Sequence, residues 1–377
     1  MEQKPVGLSD LVKYFLRLGA FGFGGPIALA GYMQRDLIPR GWMTQQEYSE
    51  GLAFAQTMPG PLAAQLAMWI GFIRHGVLGA SLVGIIFVLP AYLIVVVVAI
   101  LYVAFNGLSI VQALFYGIGA AIIAIIARSA FRLARTTVGN DWRLWFMFFV
   151  VALITVFTRT EIALLFIAAG IVGIFLYARP RAEKIAASFF ALPTLVVPVV
   201  TFPLLLQLGA FFLIAGAFTF GSGLAIVPFL HQGVVVEHPE WMIDERKFLD
   251  AVAVGIITPG PVVITAAFVG YLVAGFWGSL VAATAVFLPV YLFVLFIGRY
   301  ILRYREHPAL KGFVKGATAA ASGAIAGAAV ILAQDSIRDV ATALIALVTF
   351  LILWRFKIPE PLLVGAAALA GIALYRG

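Results

Sequence analysis

Cysteine is missing from this sequence, and charge is scarce. With no cysteine among 377 residues, disulfide bonds, thiolate metal sites and cysteine nucleophiles are excluded. The four histidines fall in predicted loops, so neither a metal site nor a buried proton relay is indicated. The P-loop pattern GxxxxGKS/T is absent as well, which excludes ATP hydrolysis at such a loop. We therefore expect no cofactor, no metal ion and no enzymatic activity.

Charged residues make up 11% of the chain, whereas soluble domains carry roughly 25%. Hydrophobic residues make up 63%, and the mean hydropathy is +1.07. Apolar runs such as Val77 to Phe105 exceed the roughly 20 residues that a helix needs to span a bilayer. The sequence therefore predicts an all-α polytopic membrane protein in contact with the lipid bilayer.

The formal net charge of +8 comes from arginine and lysine residues that lie mostly at the ends of apolar segments. Cytoplasmic loops of membrane proteins collect such residues, so we attribute the charge to topology and expect no nucleic-acid partner. Attraction of an anionic solute to a basic vestibule stays open beside this interpretation.

Four short patterns occur in both halves of the chain, which predicts a tandem duplication. We place the first membrane repeat at 1–180, a linker at 181–200 and the second membrane repeat at 201–377. The paired patterns are GAFGFGGP from Gly19 and GAFTFGSG from Gly216, Trp42-Met43 and Trp241-Met242, TMPGP from Thr57 and ITPGP from Ile257, and LPAY from Leu89 and LPVY from Leu288.

Loops that are rich in arginine and lysine in one half have equivalents in the other half that carry little positive charge. The bias reverses at three successive loops, which predicts that the second half is inverted relative to the first. The basic loops contain Arg74 and then Arg128, Arg132, Arg135 and Arg143 in the first half, and Arg299, Arg303, Arg305 and Lys311 in the second. Their counterparts, at Gly275 to Gly278, Asp335 to Asp339 and around Asn106, carry little or no positive charge.

Six apolar segments are predicted in each half. The first two of each half contain helix breakers, so we expect broken or re-entrant helices there. If both return to their starting side, inversion requires the linker 181–200 to cross the membrane, and the sequence leaves this open. The segments lie near 8–30, 47–73, 77–105, 109–134, 144–158 and 161–178, and near 205–230, 247–274, 276–301, 310–333, 339–354 and 358–375.

Glycine and proline interrupt the first segment of each half. Where a helix restarts, its first N–H groups are free and carry partial positive charge, which suits an anion. We interpret these interruptions as substrate-binding half-sites, with close helix packing through small residues as the alternative. The residues are Gly22, Phe23, Gly24, Gly25 and Pro26 in the first half and Thr219, Gly221, Ser222 and Gly223 in the second.

A Pro-Gly-Pro turn interrupts the second segment of each half. Its prolines remove helical N–H donors, and its glycine permits a sharp turn. Polar neighbours could bind an oxyanion, while the alternative is a plain turn at the tip of a re-entrant hairpin. The candidate substrate-binding residues are Gln56, Thr57, Pro59, Gly60 and Pro61, together with Thr258, Pro259, Gly260 and Pro261.

Glu50 and Asp250 each lie nine residues before the first proline of their turn. An acidic residue that enters a membrane segment is a candidate coupling site for protons. The alternative is an interfacial acid in the first turn of a helix, which the helix dipole favours.

With these motifs assembled, the chain resembles the chromate transporter family in its long, two-domain form, over essentially the whole length. The resemblance implies export of chromate across the cytoplasmic (inner) membrane of a bacterium, driven by ion gradients, with sulfate as an isosteric dianion. The second half of the chain departs from the first-half pattern at Ser222-Gly223, so the two half-sites are not expected to be equivalent. The resemblance rests on Phe21 to Pro26, Trp42-Met43-Thr44, Glu47, Pro59-Gly60-Pro61, Phe218 to Gly221, Trp241 and Thr258 to Pro261.

The leading interpretation is a secondary active transporter that exports chromate by alternating access, coupled to protons or to an exchanged anion. A carrier of sulfate or another oxyanion uses the same mechanism, and an anion channel would need no coupling acid. The sequence leaves open the preferred oxyanion, the coupling ion and whether the chain forms a homodimer.

Overall fold

The structure, a computed structural model, describes residues 6–23, 25–105, 108–158, 163–178, 204–219, 226–298, 307–337, 339–356 and 358–375. The regular secondary structure in these ranges is helical. The predicted linker 181–200 and the candidate residues Gly24, Gly221, Ser222 and Gly223 lie outside them. The helices are α1 (Leu8–Phe21), α2 (Gly25–Leu37), α3 (Gln45–Thr57), α4 (Leu62–Phe105), α5 (Ser109–Val138), α6 (Trp142–Thr158), α7 (Ala163–Tyr177), α8 (Leu204–Phe218), α9 (Ile226–His231), α10 (Glu245–Ile257), α11 (Thr265–Leu292), α12 (Pro308–Ser336), α13 (Val340–Arg355) and α14 (Glu360–Leu374).

Within the described residues, four helical stretches are long and apolar enough to cross a membrane, by length and composition. The polytopic helical class that the composition predicts is thereby confirmed. The four stretches are Leu62–Phe105, Ser109–Arg135, Val262–Ile297 and Pro308–Gln334.

Two of these stretches reverse direction near one end. The backbone of α4 leaves the helical region at His75 and Gly76, where Gly76 has φ 58° and ψ −146°. Gly275 of α11 repeats this geometry with φ 61° and ψ −151°. Because Gly71 packs against Gly79 across the first turn, a short helix at 62–74 lies antiparallel to a crossing helix at 77–105.

The interrupted segments of the first half are re-entrant hairpins. In hairpin 1 (α1 and α2), the Tyr14 hydroxyl donates to Asp36 at 3.4 Å, and Gly22 faces Leu29. In hairpin 2 (α3 and 62–74), the rings of Phe54 and Trp69 lie 5.5 Å apart. Each hairpin therefore returns to the end where it began.

The second half has the equivalent pair of hairpins. In hairpin 3 (α8 and α9), the Phe211 ring stacks on Phe229 at 5.6 Å. In hairpin 4 (α10 and 262–274), Gly255 lies against Thr265. Since α3 and α10 have 13 residues each, they are about 20 Å long, which is long enough to reach deep into a hydrocarbon core of roughly 30 Å.

The base of hairpin 2 is closed by Glu47, which has two roles. Its carboxylate accepts a hydrogen bond from Arg74, at the end of the returning helix 62–74, and another from the Thr44 N–H at 2.8 Å. The Glu47 N–H in turn donates to the Thr44 hydroxyl at 3.1 Å, which completes a capping box between Thr44 and Glu47.

Two substitutions separate these roles. Glu47→Gln retains a side chain that suits a capping box and loses the ion pair, so we expect it to lower the free energy of unfolding by about 0.5–1 kcal/mol. Glu47→Ala loses both interactions, and a loss of about 1–2 kcal/mol is expected. Thermal unfolding of the purified protein in detergent measures both, and equal midpoints for the two variants would contradict the separate contribution of the cap.

The longest helix of the first half and its counterpart in the second half run in opposite directions. Ser81, near the start of the crossing part of α4, hydrogen-bonds Tyr291, near the end of α11, at 2.7 Å. Tyr102, near the end of α4, donates to Asp250 of α10 at 2.6 Å. The crossing parts of α4 and α11 are therefore antiparallel, as inverted halves require.

The last two helices of each half pack on the other half. Helices α6 and α7 pack on α12, and α13 and α14 pack on α5. Gly173 meets the backbone of Gly312 in one contact, and Gly117 meets that of Ala367 and Gly371 in the other. The halves are thus interlocked, because helices of each half are buried against a helix of the other half.

Charge separates the two ends of the bundle. The end that holds the bases of hairpins 1 and 2, called the basic end here, carries Arg35, Arg40, Arg74, Arg132, Arg135, Arg143, Lys311, Lys315 and Arg355 among the described residues, against Asp10, Asp36, Glu47, Asp141 and Glu360. The opposite end, called the acidic end, carries Glu237, Glu240, Asp244, Glu245 and Asp339, with Arg246 and Lys247.

Candidate functional site

The tips of the hairpins meet near the middle of the molecule, and each Pro-Gly-Pro turn binds the helix break of the other half. The Gly260 N–H donates to the Gly22 carbonyl at 3.0 Å. The Gly60 N–H donates to the Thr219 carbonyl in the same way. The sequence predicted all four interruptions, and the structure brings them together crosswise.

The Pro-Gly-Pro sequence explains this pairing. Pro59 and Pro61 have no N–H, so Gly60 supplies the donor of the turn. Gly60 has φ 132° and Gly260 has φ 93°, backbone conformations that residues with a Cβ rarely adopt. The same turn therefore ends α3, starts α4 and fastens hairpin 2 to hairpin 3.

Gln65 supports the first turn from inside the bundle. Its Nε2 donates to the Pro59 carbonyl at 2.6 Å, and the residue is fully buried. Its Oε1 has no hydrogen-bond partner among the described residues. Gln65 therefore positions the turn and leaves one acceptor atom beside it.

The threonine hydroxyls at the tips donate to their own helices. Thr57 donates to Ala53 at 2.7 Å, and Thr258 donates to Val254 at 2.6 Å. Thr219 donates to its helix in the same manner, to Ala215 at 2.7 Å. Because each hydroxyl has one proton, these groups must rotate before they donate to an anion.

Helices α2 and α4 both begin where the hairpin tips meet. Helix α2 begins at Gly25 with Pro26 next, and α4 begins at Leu62 directly after Pro61. The first N–H groups of an α-helix have no acceptor within the helix, and this end carries partial positive charge. Neutral donors for an anion are therefore concentrated at the tips, where Phe23 is 38% exposed.

The two hairpins that carry the candidate acids differ in exposure. Along α3 the side chains of Ser49 and Gln56 are exposed, and Glu50 is half-buried with a hydrogen bond from Gln46 at 3.1 Å. Along α10 every residue from 248 to 256 is buried. Asp250 is 2% exposed and accepts from Tyr102. Glu50 and Asp250 thus lie at the same distance in sequence from their Pro-Gly-Pro turns, but their carboxyl groups differ in burial and in hydrogen-bond partner.

Sequence reasoning missed Tyr102 as the partner of Asp250. The available signal was one hydroxyl near the end of a long apolar run, which does not reveal a partner 148 residues away. It also gave no sign that His231 binds Glu245, at 2.7 Å, at the base of hairpins 3 and 4. Among the described residues, no group of three or more His, Asp or Glu is placed to hold a metal ion.

Comparison with known proteins gives matches over nearly the whole chain. The family model described as "Chromate transporter" matches residues 9–174 and again residues 206–372, in agreement with two tandem homologous halves. The "Chromate transport protein" of Cupriavidus metallidurans is 52% identical, over 98% of this chain and 93% of that protein. The "Probable chromate transport protein" of Synechococcus elongatus is 48% identical, over 98% and 96%. The "Chromate transport protein" of Pseudomonas aeruginosa is 30% identical, over 97% and 92%. No solved structure matches significantly.

Proposed function

Because the chain belongs to the chromate transporter family, we propose that it exports chromate across the bacterial cytoplasmic membrane as a secondary active transporter. The observation that carries this proposal is the crosswise junction of the hairpin tips, in which Gly60 binds Thr219 and Gly260 binds Gly22. Transporters with inverted repeats place broken helices around a substrate at the membrane midplane.

Chromate fits the donors at this junction. It is a tetrahedral dianion, and the N–H groups at the starts of α2 and α4 are neutral donors with a favourable dipole. Dipoles and N–H groups bind an anion while leaving it free to dissociate, whereas a buried pair of arginines would hold it more tightly. We propose that Gly22 to Pro26 and Gln56 to Pro61, with their counterparts in the second half, form the binding site.

The unequal exposure of the hairpins supports alternating access. Polar side chains at membrane depth require water or protein around them, and along α3 Gln56 is exposed near the tip of hairpin 2 and Ser49 nearer its base. The corresponding residues of α10, from 248 to 256, are all buried. We propose that water reaches the tips from the basic end in this state, and that the opposite state exposes hairpin 4 instead.

Positive charge orients the molecule. Because cytoplasmic ends of membrane proteins are rich in arginine and lysine, we place the basic end in the cytoplasm, with the halves in inverted topology. Chromate then binds from the cytoplasmic side in the state described. Its export from a negative-inside cell is favoured by roughly 2.3 kcal/mol per charge per 100 mV.

The first experiment is chromate flux in proteoliposomes that contain the purified protein. We expect chromate uptake that rises with an imposed pH gradient and falls when sulfate competes. Empty liposomes and protein without a gradient are the controls.

Other results would select an alternative function. Flux that follows the chromate gradient alone and ignores the pH gradient would favour a channel or an anion exchanger. Sulfate uptake without chromate uptake would favour a carrier for sulfate or another oxyanion, with the same fold and the same site.

A further inference from the structure

A cavity of about 680 Å³ opens at the acidic end, away from the hairpin tips. Helices of both halves form it, namely the starts of α5, α10 and α13 and the end of α14. Asp250 lies in its wall, next to Leu249 and below Arg246 on α10. The cavity therefore joins the aqueous end of the bundle to a carboxyl group that is otherwise enclosed.

Among the described residues, the lining of this cavity is more negative than positive. They contribute three carboxyl groups, from Glu245, Asp250 and Asp339, against one guanidinium, from Arg246. At the mouth of the cavity, the Thr342 N–H and the Tyr116 hydroxyl hold the pKa of Asp339 below its usual value, so this carboxyl is ionised at neutral pH. Such a field attracts cations and repels a dianion.

Asp250 itself joins the two halves. Tyr102 of α4 donates to its Oδ2 at 2.6 Å, so a first-half crossing helix is fastened to a second-half hairpin. Among the described residues, the other charged and titratable groups around it are Asp244 at the N-cap of its helix, Glu245 and Arg246 on that helix, Tyr116 on α5, Asp339 before α13 and Tyr375 after α14. His231 lies behind Glu245, at 2.7 Å.

We propose that Asp250 is the proton-binding carboxyl of the transporter and that protons reach it through this cavity from the acidic end. The inference rests on the proposed transport function and adds the residue that binds the coupling proton and the face from which the proton enters. A proton from water in the cavity binds the Asp250 carboxylate and neutralises it. The change of state then takes the neutral Asp250 out of contact with this cavity, and the proton leaves to water at the basic end.

The two ions thus approach from opposite ends. Chromate meets the arginine-rich end and the open face of α3, whereas protons meet the acidic cavity. Glu50, the sequence equivalent of Asp250, is half-buried and bound by Gln46, so it does not reproduce the Tyr102–Asp250 arrangement. The proton site is therefore single, although the fold is duplicated.

Asp250→Asn tests this assignment in proteoliposomes with two assays, uptake driven by a pH gradient and chromate–chromate exchange without a gradient. We expect gradient-driven uptake to fall at least about tenfold, while exchange falls by less than about threefold. The exchange assay also reports whether the variant is folded. Glu50→Gln is the matched control, and we expect its uptake to keep its dependence on the pH gradient.

Tyr102→Phe gives a second readout. It removes the hydroxyl that donates to the carboxylate, so we expect the pH at which uptake is half-maximal to move to higher values. A role in packing alone would lower the rate without moving the pH profile.

Three results would overturn the inference. They are gradient-driven uptake that persists in Asp250→Asn, wild-type uptake driven by a sodium gradient in place of the pH gradient, and wild-type chromate flux that ignores the pH gradient. Wild-type protein that moves no chromate in either assay would instead reject the proposed function, and this inference with it.

Discussion

Gly60→Ala and Gly260→Ala are each expected to lower chromate flux at least about tenfold. Both glycines have positive φ, 132° and 93°, and both N–H groups hold the junction of the tips. An added methyl group at Gly60 would also lie 2.8 Å from Gln65 Nε2 and 2.9 Å from Val290. Gly260 has more room, since its nearest neighbour, Ala91, is 3.4 Å away. The effect should therefore be larger at Gly60.

Flux of chromate into proteoliposomes measures this effect, and Gly31→Ala is the matched control. Gly31 lies in α2 of hairpin 1, on an exposed helical face where an added methyl group meets nothing within 4 Å. We expect this control to retain wild-type flux. Normal flux in both junction variants would show that the substrate site lies elsewhere.

Gly371→Ala is expected to destabilise the whole protein. Its added methyl group would overlap the Ala113 carbonyl oxygen and the backbone of Gly117, where α14 crosses onto the other half. Backbone cannot move aside as a flexible side chain can, so we expect a loss of about 1–3 kcal/mol or more in the free energy of unfolding. A lower midpoint of thermal unfolding in detergent and a lower yield of monodisperse protein would report it.

Gly365→Ala is the control in the same helix. An added methyl group at Gly365 meets nothing within 4 Å, and alanine is favoured over glycine inside a helix by about 0.5–1 kcal/mol. The two substitutions are chemically identical and differ only in their surroundings. We therefore expect the unfolding midpoint to fall for Gly371→Ala and to rise for Gly365→Ala. Equal shifts would contradict the close packing of α14 on α5.

Several features of the fold could be predicted from the sequence because their causes are local. A bilayer requires long apolar helices, and the predicted segments at 77–105 and 109–134 coincide with the crossing part of α4 and with α5. Glycine and proline interrupt a helix wherever they occur, and the structure breaks at Gly22-Phe23 and at Met58 to Pro61, as predicted. The capping box at Thr44 and Glu47 is local in the same sense, because its two residues are neighbours on the first turn of α3.

The roles assigned to the candidate substrate-binding residues remain predictions. The structure brings Gly22, Gly60, Thr219 and Gly260 together, yet the tip hydroxyls bind their own helices in this state. Which groups donate to an anion depends on side-chain rotation and on water, and neither follows from the order of residues.

The sequence by itself determined the membrane class, the duplication and the positions of the helix breaks, because hydropathy, repetition and the backbone chemistry of glycine and proline act on neighbouring residues. The tertiary structure alone decided which turn binds which break, and that α14 packs on α5 rather than on its own half. It also decided that Asp250 is buried against Tyr102 while Glu50, at the same position of its repeat, is half-exposed. Contacts between residues more than a hundred positions apart create these differences, and no local pattern encodes them.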